Sequence, residues 1–158
     1  IVLNPKGIVE VIEFFDYNCG HCKRQARVID ELLKDRKDIR VVLRPIPILG
    51  EESLYATQIG YAILLLNPSK FEDYYGNCMI NINSDGDLIY NALNNAGISI
   101  KALKEILANK KDKIDSIIEF NMDSASQLGI RGTPSFVING EVVVGELNLE
   151  NLTKKLTK

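Results

Sequence analysis

The chain is predicted to be an α/β protein built on a mixed sheet, and three observations carry that prediction. A strand, a helix and a second strand follow one another in the first 45 residues, a stretch with helical patterning alone runs from Glu51 to about Ile130, and a β-hairpin with a short helix closes the chain. Ile8 to Phe15 (IVEVIEFF) is rich in β-branched and aromatic residues and almost continuously apolar, as expected of a central strand covered on both faces. From about Cys19 the period becomes helical: Cys22, Ala26, Ile29 and Leu33 share one face, while Lys23, Arg24, Arg27, Asp30 and Glu31 fill the other. Ile39 to Leu43 (IRVVL) reads as a second strand, stopped by Pro45 and Pro47 because proline cannot donate to a ladder. A β-α-β unit implies parallel pairing.

The helical stretch has its own punctuation. Tyr55, Ile59, Ala62 and Leu66 form one stripe; Ser84 with Asp87 starts a further helix that Gly97 ends; Ser99 caps the next. Ile114, Ile118, Met122, Ala125 and Leu128 mark a long amphipathic helix, closed by Gly129 in a left-handed position. Ser135 to Ile138 and Glu141 to Val144 flank Asn139-Gly140, the pair that supplies the positive φ angles of a type I′ hairpin. Leu149, Leu152 and Leu156 mark the last helix. The expected organisation is a unit formed by residues 1–50 and 130–158, with 51–129 inserted as a helical subdomain.

Composition narrows the function classes. The 158 residues are 46% hydrophobic and 25% charged, which suits a single core. Nineteen Lys and Arg against 21 Asp and Glu leave a net charge of −2, so no nucleic-acid partner is expected. The basic stretch Lys101, Lys104, Lys110, Lys111 and Lys113 is interrupted by Glu105, Asp112 and Asp115 and reads as a solvated face. No apolar run reaches the length of a membrane span; the best, Ile59 to Leu66, contains Gly60 and Tyr61. The first residues, Ile1-Val2-Leu3-Asn4-Pro5, carry no basic and apolar leader pattern, so any signal peptide is expected to be gone or never present.

Three cysteines exclude a multi-bridge scaffold. Cys19-Gly20-His21-Cys22 falls where strand turns into helix, and there unpaired backbone N–H groups and the helix dipole stabilise a thiolate on Cys19. His21, when protonated, adds positive charge, and the spacing lets Cys22 attack a mixed disulfide formed on Cys19. A stabilised thiolate favours the reduced protein, so the disulfide form is expected to be oxidising. A permanent structural disulfide and half of a metal site are the alternatives; a zinc ribbon needs a second cysteine pair. No metal and no cofactor are expected. His21 is the only histidine, so its expected role is electrostatic. Cys78, in the helical stretch, reads as an inert core thiol.

The stretch Phe14-Phe15-Asp16-Tyr17-Asn18-Cys19-Gly20-His21-Cys22-Lys23 resembles the active site of bacterial DsbA-like thiol–disulfide oxidoreductases of the thioredoxin superfamily. Independently, Leu128 to Gly140 (LGIRGTPSFVING) resembles the segment that carries the family's cis-proline, and its distance from Cys22 leaves room for the family's helical insertion. The resemblance implies a thioredoxin fold and a Pro134 that is cis and lies against the cysteines. It also implies a Thr133 backbone that pairs with an extended substrate, and a substrate-contacting set of Gly20, Thr133 and Pro134. Alternation puts Glu13 on the face of Val9, Val11 and Phe15. In such families an acid at this offset can exchange a proton with the buried second cysteine, a task that burial suits by raising its pKa; an edge or water-facing glutamate is the alternative. Asp16 reads as structural or solvent-facing.

The expected function is disulfide introduction into unfolded or partly folded proteins with cysteines. The resemblance implies that a membrane-bound or soluble redox partner recycles the pair in the periplasm or another extracytoplasmic space, where disulfides persist. Within the same chemistry, Gly-His between the cysteines and Thr before the proline also fit an isomerase or reductase. A reduced metal-binding or holdase module is the reading from another class.

Overall fold

The computed structural model describes residues 1–81 and 87–157. Its sheet has five strands in the order β1-β3-β2-β4-β5: β1 (Val2–Leu3), β2 (Val9–Phe15), β3 (Ile39–Pro45), β4 (Ser135–Ile138) and β5 (Glu141–Val144). The β2–β3 pair is parallel, with Val11 opposite Val41 and Glu13 opposite Leu43; all other pairs are antiparallel. The mixed sheet and the β-α-β unit match the sequence reading. Edge strand β1 was not foreseen, since two residues are too few to display a period.

Strand β2 sits between β3 and β4, which explains its apolar run: both faces are covered. Val9, Val11 and Phe15 join the main core with Cys22, Ala26 and Ile29 of helix α1 (Gly20–Asp35). On the opposite face Ile12 and Phe14 meet Ile46, Ala125 and Ile130. Ile8, expected at the start of this strand, precedes it and is 88% exposed. Pro45 ends β3 rather than lying outside it, where the missing N–H costs no internal bond.

Helices α2 (Glu51–Leu66), α3 (Phe71–Met79, after a 3₁₀ turn at Pro68–Lys70), α4 (Leu88–Asn95), α5 (Ile100–Asn109) and α6 (Lys111–Gln127) lie between β3 and β4, and α7 (Leu149–Leu156) ends the chain. The stripe expected on α2 is corrected: Ile59 and Ala62 are buried, but Tyr55 and Leu66 are exposed, and Ser53, Ala56, Thr57, Gly60, Tyr61 and Ile63 are buried instead. Contacts with α3, α5 and α6 cover the middle of this helix from several sides, so no single stripe describes it. Ser84 lies outside the described residues; Asp87 itself caps α4 by accepting from the Tyr90 N–H. Ser99 caps α5 in the same way, through Ala102. On α6 the buried face runs through Ile114, Ile118, Asn121 and Ala125, and Met122 and Leu128 are exposed. Asn121 takes the buried place because its amide donates to Pro45 O (3.1 Å) and Tyr61 Oη (2.7 Å). The hairpin turn has φ of 51° at Asn139 and 79° at Gly140, as its sequence requires. Among the described residues, no helix is long and apolar enough to cross a membrane.

Candidate active site

Strand β2 delivers the chain to Asp16, and a short turn then leads into α1. Cys19 is the N-cap of that helix, in extended conformation, with its sulfur accepting from the Cys22 N–H at 3.3 Å. A capping side chain lies where the first-turn N–H groups have no helical partner, so the reactive sulfur occupies the electropositive end of α1. Its Sγ also lies 3.5 Å from the Thr133 carbonyl, on the residue before Pro134. The Thr133–Pro134 peptide bond is cis. Cys19 is 6% exposed and Cys22 fully buried, both as free thiols.

Asp16 fixes this turn. Its Oδ1 accepts from Asn18 N (2.8 Å) and Ser53 Oγ (2.6 Å), and its Oδ2 from Ile48 N (2.9 Å) and Leu49 N (3.1 Å). The side chain is buried, so the structural half of the expectation stands and the solvent-facing half is corrected: four donors converge there and exclude water. Asn18 Nδ2 in turn donates to Glu52 of α2 at 3.3 Å.

Glu13 lies in the sheet beneath the helix, between Leu43 and Phe136 on the neighbouring strands. It is 1% exposed, and neither carboxylate oxygen has a hydrogen-bond partner. Burial, reinforced by the charge of Cys19, lifts its pKa to about 8. Burial likewise pushes the Cys22 thiol far above its ordinary value; hydrogen bonding with Thr133 and Asp16 opposes the rise, and the neighbouring Glu13 adds to it. Cys22 and Glu13 are thus two groups that both prefer to hold a proton and sense each other's charge.

His21 is exposed, and its ring is held at the rim: Nδ1 lies 2.5 Å from Glu146 Oε1 and 2.8 Å from Arg24 Nη2. Gly20 is exposed beside Cys19, with a Cβ there meeting only an Arg24 nitrogen at 4.0 Å. Thr133 is half-buried and Pro134 buried. The fold therefore gathers Cys19, Cys22, Thr133 and Pro134, sets Glu13 below them, and turns His21 outward.

Residues missed in the sequence are Arg24, Gln25 and Glu146. Gln25 carried a signal, a polar side chain three residues after Cys22 on the apolar face of α1; Glu146 carried none. Cys78 lies in the core on α3, 1% exposed, with burial pushing its thiol up to about 12. The five lysines from Lys101 to Lys113 are all exposed. Among the described residues, no group of three or more His, Cys, Asp or Glu side chains could hold a metal ion.

A family model described as thioredoxin matches residues 4–158. A solved thioredoxin-like oxidoreductase from Silicibacter pomeroyi DSS-3 superposes with a TM-score of 0.88 at 30% identity, over 99% of this chain and 90% of that one. The thiol-disulfide exchange protein alpha-DsbA2 from Wolbachia pipientis superposes with a TM-score of 0.86 at 30% identity, over 97% of this chain and 82% of that one. Among curated proteins, the Na(+)/H(+) antiporter NhaA 1 of Salinispora arenicola is 24% identical over 151 residues, 94% of this chain. The chain spans only 23% of that relative's length, so the likeness is to one part of it.

Proposed function

This chain belongs to the thioredoxin family, and on that premise we propose that it catalyses dithiol–disulfide exchange as a DsbA-like enzyme, working in the oxidising direction on polypeptides with reduced cysteines. The observation that carries the reading is the placement of Cys19 as N-cap of α1, its sulfur on the Cys22 N–H and facing the Thr133 carbonyl beside cis Pro134. A helix N-terminus favours the thiolate over the thiol. Stabilising the thiolate stabilises the dithiol form, which makes the disulfide a good electron acceptor.

In the proposed cycle a substrate thiolate attacks Cys19 Sγ of the oxidised pair. The Cys19–Cys22 bond breaks and Cys22 leaves as a thiolate, which takes up a proton because its buried site disfavours the charge. A second substrate thiolate then attacks the substrate sulfur joined to Cys19. The substrate disulfide forms, Cys19 leaves as a thiolate, and two electrons have passed to the enzyme. In the return step a redox partner withdraws them, and Cys22 must lose its proton.

Glu13 is the assigned relay for that proton. Its pKa of about 8 lies close enough to neutrality for both forms to be used. Part of the rise comes from the charge of Cys19; once Cys19 is tied up in a mixed disulfide that charge is absent, and more of Glu13 is ionised and free to accept the Cys22 proton. Gly20, Thr133 and Pro134 are assigned to the substrate surface, with the Thr133 backbone pairing to an extended chain and His21 at its rim. The helices of 51–129 border this surface through Glu52 and Asn18. Such chemistry suits an extracytoplasmic compartment, where disulfides persist.

Equilibration of the pair with glutathione redox buffers tests the reading. A reduction potential well above that of the cytosolic glutathione pool is expected; a potential near or below it would point to a reductase or a structural bridge and overturn the oxidative assignment.

A further inference from the structure

The segment that follows β5 is clamped from two sides. Gly145 N donates to Pro134 O at 2.8 Å, joining it to the cis-proline strand. Leu147 N donates to Gln25 Oε1 at 2.7 Å, and Gln25 Nε2 donates back to Leu147 O at 3.0 Å, joining it to α1. Gln25 is 1% exposed, so this two-point bond is shielded from water. Glu146, between the two clamps, has its carboxylate over the first turn of the helix that carries the cysteines. One oxygen, Oε1, accepts from Arg24 Nε (3.0 Å) and Nη2 (2.7 Å) and lies against His21 Nδ1.

Arg24 is a permanent cation close enough for its charge to interact with that of Cys19. His21 Nδ1 finds a partner in either charge state: protonated, it donates to Glu146; bare, it accepts from Arg24. A single carboxylate therefore holds both Arg24 and His21 and offsets the positive charge that Arg24, and His21 when protonated, present to Cys19. The exposed pairs contribute little to folding, but the interaction of their charge with Cys19 is read directly in its redox equilibrium.

We propose that Glu146 is a positioning residue that orients Arg24 and His21 and neutralises their cluster, holding the Cys19–Cys22 pair less oxidising than the two cations alone would make it. This role rests on the oxidoreductase reading above. The reaction that reads it is protein dithiol plus oxidised glutathione giving protein disulfide plus two reduced glutathiones.

Glu146→Gln keeps the shape and removes the negative charge, and is expected to shift this equilibrium toward the protein dithiol by roughly three- to tenfold, where tenfold corresponds to about 30 mV. Arg24→Gln is expected to shift it the other way. The double variant, whose cluster has neither charge, returns near the wild-type constant, and 1 M salt shrinks each single shift by screening. Thermal unfolding of each variant confirms that the fold is kept; a purely structural role would move stability and not the redox constant. A wild-type pair that does not equilibrate with glutathione overturns the functional reading and this inference with it. A wild-type pair that does equilibrate, with a Glu146→Gln constant unchanged or moved toward the disulfide, overturns the role of Glu146 alone.

Discussion

At the scale of single residues, the molecule places two carboxylates with opposite consequences under and beside Cys19. Asp16 is buried with four donors on its two oxygens, and Glu13 is buried with none. Replacing Asp16 by Asn leaves one acceptor oxygen and turns an amide toward remaining donors, so a loss of about 2–4 kcal/mol in urea unfolding is expected. Glu13 works in the reverse sense. Its folded pKa, about 8, lies above the unfolded value near 4.5, so between these limits the folded state binds more protons than the unfolded state. Stability is then greatest below the unfolded pKa and falls as pH rises through the window, by at most about 1.4 kcal/mol per pH unit. Glu13→Leu is expected to flatten that fall and stabilise the reduced protein at pH 9, while slowing exchange at neutral pH. Urea denaturation from pH 4 to 9 and stopped-flow thiol exchange check the two halves. Glu13 is legible in the sequence only as an acid inside an apolar strand; the absence of any partner for its oxygens is a fact of packing.

At the scale of elements, helix α2 shows how close approach replaces periodicity. A Cβ on Gly60 would stand 2.8 Å from Tyr17 Oη and 3.5 Å from ring carbons of Phe71 and Tyr74. Tyr17 is itself buried beside the active-site turn, edge-on to Phe15 at 4.9 Å. Gly60→Ala is expected to cost about 1–3 kcal/mol by overpacking, and to disturb exchange through Tyr17, whereas Ser99→Ala, which removes only the α5 cap, is expected to cost about 1 kcal/mol and leave exchange untouched. Chemical denaturation with a parallel exchange assay separates them. The cap Ser99 acts locally and is readable from neighbouring residues. The α2 stripe and the positions of Met122 and Leu128 differ from the periodic expectation because partners distant in sequence decide which side of each helix is covered.

At the scale of the whole molecule, redox state and folding are linked through the same sulfur. If the folded protein stabilises the Cys19 thiolate more than the unfolded chain does, the dithiol form must be the more stable one, by a thermodynamic cycle through the two reduction potentials. The reduced protein is expected to unfold at a higher urea concentration than the oxidised protein, and equal midpoints would contradict an oxidising pair. Sequence alone determined the β-α-β unit, the helical stretch after it, the closing hairpin and helix, the mixed sheet, the N-terminal helix position of the cysteine pair and its likeness to one family, because each rests on local period, turn chemistry or spacing. Tertiary structure decided the rest. It brings the Thr133 carbonyl to Cys19, deprives Glu13 of partners, and carries Glu146 from beyond the last strand to Arg24 and His21. Those contacts join residues more than a hundred positions apart, and only the closing of the sheet and the docking of α1 on it fix which polar atoms meet and which are left alone.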